Sequence, residues 1–132
     1  MTNRAKEALI ALVLTVLAGG AALLFGFNQS GFTGSRVKNP DAYLLDIESM
    51  TGTDQHTLAL NEGDVLRILF ETERGSLQLE IKAPDGTAVY RGNGEDTTDF
   101  QVNIRENGVY TIAVEARRAK GTIHIELEEE NP

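Results

Sequence analysis

The sequence predicts an all-β protein: an antiparallel β-sandwich of the jelly-roll or Greek-key kind, with seven or eight strands, behind one N-terminal transmembrane helix. Three observations predict it. Beyond Pro40 apolar and polar residues alternate with a period of two. Turn signals recur at about ten-residue intervals. A single uncharged apolar run, Ala8 to Phe27, precedes all of this.

The run comes first in the chain. At about 1.5 Å per residue it reaches roughly 30 Å, the hydrocarbon thickness of a bilayer. Arg4 and Lys6 lie just before it and the next cation after it is Arg36. Positive charge beside a span stays in the cytoplasm. Residues 1–7 are therefore expected as a cytoplasmic stub, 8–27 as the transmembrane helix, and everything beyond as extracytoplasmic. The competing reading is a cleaved signal peptide, with Ala8–Leu17 as its apolar segment and Ala18-Gly19-Gly20 or Gly20-Ala21-Ala22 as the cleavage site. Apolar sequence continues through Ala21–Phe25, which favours an uncleaved anchor. Both readings put the folded part outside the cytoplasm. The chain has no cysteine, so a lipoprotein anchor is excluded and no disulfide supplements the core. That usage fits a bacterial exported protein.

On a helix, Ala11, Thr15, Ala18, Gly19, Ala22 and Gly26 fall within a sector of about 100°. Small side chains let helix backbones approach in lipid, where packing drives association. A helix–helix contact is expected, with a second copy or with a larger membrane partner.

Residues 28–40, rich in Gly, Ser, Asn and Thr, read as a flexible spacer. The sandwich follows over 41–128. Tyr43, Leu45 and Ile47 share one face of a first strand, and Leu58 and Leu60 one face of a short second. In Val65–Glu71 both faces are apolar, as in a central strand. Leu77, Leu79 and Ile81 alternate with Gln78, Glu80 and Lys82. Pro84-Asp85-Gly86 is a turn, Pro fixing φ and Gly accepting a positive one. Ala88–Tyr90 is a brief strand before the polar loop 92–99. Phe100, Val102 and Ile104 then face inward, and so do Tyr110, Ile112 and Val114 after the turn at Asn107-Gly108. A turn at Ala119–Gly121 leads to a last strand with Ile123, Ile125 and Leu127 inward. Residues 129–132 form an acidic tail.

The order Gly63-Asp64, Gly75-Ser76-Leu77-Gln78-Leu79, Pro84-Asp85-Gly86, Tyr90, Phe100 and Gly108-Val109-Tyr110 resembles two families. One is the GOLD (Golgi dynamics) β-sandwich of eukaryotic cargo receptors. The other is the bacterial pre-peptidase C-terminal domain, an exported β-sandwich. The resemblance covers about half the chain. It implies a non-enzymatic external module that binds proteins and is tethered by one membrane span.

Charge narrows the partners. Residues 41–132 hold 8 of the 12 basic side chains and 19 of the 20 acidic ones. So acidic a domain is a poor ligand for nucleic acid, which needs clustered Lys and Arg. No Gly-x-Ser-x-Gly elbow positions a nucleophile, and His56 and His124 lack metal-ligand spacing, so no enzyme is expected. In the 92–99 loop, Asn93, Glu95, Asp96 and Asp99 offer oxygen donors suited to calcium. Trp is absent, which leaves Tyr43 and Tyr90 for a glycan platform. Arg117, Arg118 and Lys120 make a basic cluster at an expected hairpin tip, able to dock an acidic partner, to graze lipid headgroups or to guard a strand edge. The expected function is a membrane-anchored extracytoplasmic module for protein interaction or accessory-subunit work. The alternative is a calcium- or glycan-binding module, anchored or secreted.

Overall fold

A computed structural model describes residues 31–96 and 98–129, which form one compact unit. The expected stub, the expected transmembrane helix with its small-residue stripe, and the end of the acidic tail lie outside the described residues. Among those described there is no helix. The chain forms six antiparallel strands: β1 (Gly31–Asn39), β2 (Ala42–Leu60), β3 (Val65–Lys82), β4 (Ala88–Gly92), β5 (Asp99–Asn103) and β6 (Gly108–Leu127).

Three of these strands are long because they bend instead of turning back. The pairs expected as separate strands, Tyr43–Met50 with Thr57–Leu60, Val65–Glu71 with Leu77–Lys82, and Val109–Glu115 with Thr122–Glu128, are each one continuous strand. Register shifts mark the bends: at Ile47–Gly52 in β2 and at Thr72–Ser76 in β3. In β6 the bend is at Arg118, a non-glycine residue with φ of 47°. A strand that bends leaves one sheet and enters another, making a corner without a loop. The backbone crosses itself closely there. At Gly75, φ is +72° and a Cβ would overlap the carbonyl oxygen of Arg118; only glycine fits.

Each long strand therefore serves two strand sets. The first half of β2 pairs with β1 and with the second half of β6, which pairs with the first half of β3 and so with β5. The second half of β2 pairs with the first half of β6, which pairs with the second half of β3 and so with β4. The inward side chains of both sets, among them Tyr43, Leu45, Ile68, Phe70, Leu79, Ile112 and Ile125, form one buried cluster. Burying each such side chain fully contributes about 1.5–3 kcal/mol, so a disulfide-free core of this size suffices. The arrangement is consistent with a β-sandwich.

One expectation over this region is corrected. The segment 28–40 is not a spacer from Gly31 onward: Gly31–Asn39 is edge strand β1, registered against Ala42–Thr51. Its composition misleads because edge strands need few apolar residues. A bulge at Thr33/Gly34 breaks the ladder, and β1 carries cations on the side facing the core's rim.

Candidate functional site

Two open flanks remain where the two strand sets do not share hydrogen bonds, and the chain treats them differently. On the β1/β2 flank the closure is ionic. The bend brings Asp54, in the second half of β2, to Tyr43 in the first half, and the Tyr43 hydroxyl donates to its carboxylate. Lys38 Nζ lies 3.3 Å and Arg36 Nε 3.7 Å from the same carboxylate. The His56 ring packs 5.3 Å from the Tyr43 ring, its Nε2 2.8 Å from the Asn39 carbonyl oxygen. Burial, and then the Asp54 hydrogen bond and charge, push the Tyr43 hydroxyl far above its ordinary pKa. Inward-pointing charges on an edge strand resist pairing with another chain. This flank is sealed.

On the β4/β5 flank aromatic rings take the place of the ion pairs and leave it open. Tyr90 of β4 and Phe100 of β5 meet at 4.8 Å between centroids, tilted by 35°. The two strands pair separately with the two halves of β3 and not with each other. Between them lies an open crevice of about 610 Å³. Val102 lines it, and Val89 beside it is 41% exposed. Asp85, Thr87, Gln101, Asn103, Arg105 and Glu106 form its polar rim. Burial raises the Tyr90 hydroxyl's pKa, and the ring lies over Gly92, where any Cβ would meet it. Aromatic and aliphatic side chains at the centre, ringed by polar ones with an arginine among them, are the composition of a protein-binding patch.

Two of the calcium candidates have partners within the fold. Asp99 sits in β5 and accepts a two-pronged contact from Arg67, at 3.1 and 3.2 Å. Asn93 Oδ1 accepts from the Glu95 amide at 3.1 Å, and its carbonyl accepts from the Thr72 hydroxyl at 2.7 Å. Gly94, with φ of +74°, lies against the Phe70 ring, and its carbonyl accepts from the Thr72 amide. The loop is thus stitched to β3. Among the described residues no three acidic or histidine side chains converge on a point.

Four further residues are placed differently from expectation. Arg117, Arg118 and Lys120 are not at a hairpin tip but on the β6 bend, in mid-strand. Tyr43 is fully buried, so of the two expected platform tyrosines only Tyr90 reaches the surface. Phe100, expected to face inward, packs against the core and is partly buried beside it. Nothing in the alternation distinguishes these two rings from core residues; the signal is that both belong to strands of five residues, too short to be central.

No family model and no curated protein matches the chain. Among solved structures, its fold is similar to that of Aeromonas hydrophila PliG, a periplasmic lysozyme inhibitor of g-type lysozyme. The TM-score is 0.50 at 18% sequence identity, over 71% of this chain and 92% of that one. At that identity the likeness is one of fold.

Proposed function

We propose that this chain is a non-enzymatic extracytoplasmic protein-binding module, held at the membrane by residues 8–27, and that it takes its partner at the β4/β5 crevice. The observation that carries this is the Tyr90–Phe100 pair, partly buried against the core at the floor of an open crevice between two strand edges, while ion pairs close the opposite flank. A partner strand or loop laid there would cover Val89 and the rings and meet free backbone groups of β4 and β5. The fold similarity to PliG, a periplasmic inhibitor of g-type lysozyme, supports the same class of work. A g-type lysozyme is accordingly the first partner to assay.

The test uses the full-length chain, tagged and purified from solubilised membranes, beside a Tyr90→Ala variant. The account expects one or a few extracytoplasmic proteins to copurify with the native chain and to be lost from the variant. Equal recovery on both, or recovery of cytoplasmic proteins only, contradicts it. A melting scan with calcium, EDTA and glycans addresses the alternative module, because a ligand of the native state raises the melting temperature by mass action.

A further inference from the structure

Residues directly opposite on antiparallel strands share a face of the sheet, and the register draws one apolar row across the outside of the fold. Val37 of β1 pairs with Leu44 of β2, Leu44 with His124 of β6, His124 with Leu69 of β3, and Leu69 with Asp99 of β5. The chain neighbours of Leu44, His124 and Leu69 are all buried in the core, so the row itself points away from it. Val37 is 40% and Leu69 38% exposed. His124, whose Nε2 lies 3.0 Å from Asp46 Oδ1, stands between Leu44 and Leu69 in this register. The border of the row is acidic. On the side of the bends Asp46, Thr122 and Glu71 stand in line, and on the other side Ala42, Glu126 and Arg67. With Asp99 at its end, the row is bordered by the carboxylates of Asp46, Glu71, Glu126 and Asp99, all exposed, against the one guanidinium of Arg67. That guanidinium is taken up by Asp99. One step beyond, at the bends, Arg74 and Lys120 stand with Glu48 and Glu73 and leave this balance unchanged.

An acidic border repels phosphate surfaces, lipid or nucleic acid, and complements Lys and Arg. Spacing selects the shape of what carries them. Four adjacent strands at about 4.8 Å spread the row over roughly 14 Å. A helix brings an apolar side chain round to one face about every 5.4 Å, so four of them span roughly 16 Å. An extended segment repeats on one face every 6.8 Å or so and would need roughly 20 Å. The helix keeps step with the strands and the extended segment does not. We propose that this outer face docks a basic amphipathic helix of a protein partner. Its apolar stripe lies across the strands along Val37, Leu44, His124 and Leu69, and its cations meet Asp46, Glu71 and Glu126. The surface is separate from the β4/β5 crevice, whose Phe100 and Val102 belong to the opposite face of β5.

The probe is a fluorescent synthetic peptide of about 18 residues, with Leu at i, i+4, i+7 and i+11 and Lys on both sides of that stripe. Fluorescence anisotropy reads its binding to the full-length chain in phosphatidylcholine nanodiscs, with empty discs as the blank, or in buffer alone if the chain stays soluble there. A peptide of the same composition with its Leu positions scrambled, and one with Glu in place of Lys, should each bind at least about tenfold more weakly. Leu44→Asn with Leu69→Asn should weaken the stripe peptide about tenfold. Asp46→Asn and Glu71→Gln should each weaken it about two- to fivefold, an effect that fades in high salt. Val109→Asn, at a residue 54% exposed on the outer face of the other strand set, and Tyr90→Ala at the crevice should leave it unchanged. Circular dichroism checks each fold, and Val37→Asn with Leu69→Asn replaces the first pair if Leu44→Asn unfolds the chain. No binding to the native chain, equal binding of the scrambled peptide, or unchanged affinity in the Leu69→Asn variants overturns the docking. Loss of binding in Tyr90→Ala alone moves the peptide to the crevice and overturns it as well, while leaving the crevice reading intact.

Discussion

The Tyr43 hydroxyl donates a hydrogen bond to Asp54, a residue of the same strand eleven positions on. Two residues of one straight strand at that separation stand about 36 Å apart. Their contact records the bend of β2 and closes one flank of the fold.

Removing that hydroxyl by Tyr43→Phe should cost about 1.5–3 kcal/mol, the scale for a hydrogen bond to a charged group. It should also change the alkaline limb. Tyr43 ionises in the unfolded chain near its ordinary value of 10.0 but stays neutral far higher in the folded protein. Its contribution is complete below pH 10 and declines as pH rises above it, because only the unfolded state then gains by losing the proton. Melting temperature measured from pH 8 to 11 should fall in the native chain, and fall less steeply in Tyr43→Phe. Parallel slopes would refute the coupling.

The acid limb has the opposite sign. The Arg91 guanidinium holds the Glu80 carboxylate below its usual pKa, and the Thr87 amide does the same for Asp85. Their stabilisation is present above the ordinary carboxylate values and is lost as pH falls through the lowered ones. Glu80→Gln should flatten the decline of melting temperature below about pH 4.5. The flattening should be small, because Arg91 is well exposed and the pair is screened.

Gly75→Ala tests the corner. A Cβ there collides with the Arg118 carbonyl and must also adopt a positive φ. A cost of about 2–4 kcal/mol is expected by denaturant unfolding, against a gain of up to about 1 kcal/mol where Ala fits the native backbone. Unchanged stability would mean that β3 and β6 do not cross so closely.

Most of the sheet was legible in the sequence because alternation is a local property. Leu77–Gln78–Leu79–Glu80–Ile81 declares both its strand and its buried face without reference to anything distant. The joints were not legible. Ala119–Gly121 reads as a turn, and only the pairing partners show that the strand bends there and continues. β1 was hidden for a related reason: Arg36 and Lys38 face the rim of the core, but their partner is Asp54, sixteen and more residues on. The same limit hid the crevice. Tyr90 and Phe100 are ten residues apart in sequence, and only the separate pairing of β4 and β5 with the two halves of β3 brings the rings together at an open edge.

Replacing Tyr90 by Ala should leave the fold standing, since the residue is only partly buried and sits on an edge strand. A loss of no more than about 2 kcal/mol is expected, with circular dichroism unchanged. Phe70→Ala, fully buried beneath the 92–99 loop, should cost about 3–5 kcal/mol. Near-equal costs for the two would place Tyr90 in the core and remove it as a contact residue.

Site-specific photo-crosslinking in intact cells tests the protein-binding claim most directly. A photoreactive side chain is placed at Val89, beside the rings, or at Thr57, an exposed position on β2 away from the crevice. The account predicts a discrete covalent adduct with an extracytoplasmic protein from position 89, absent from position 57 and lost when Phe100→Ala is added. No adduct from position 89, or the same adducts from both positions, would contradict it.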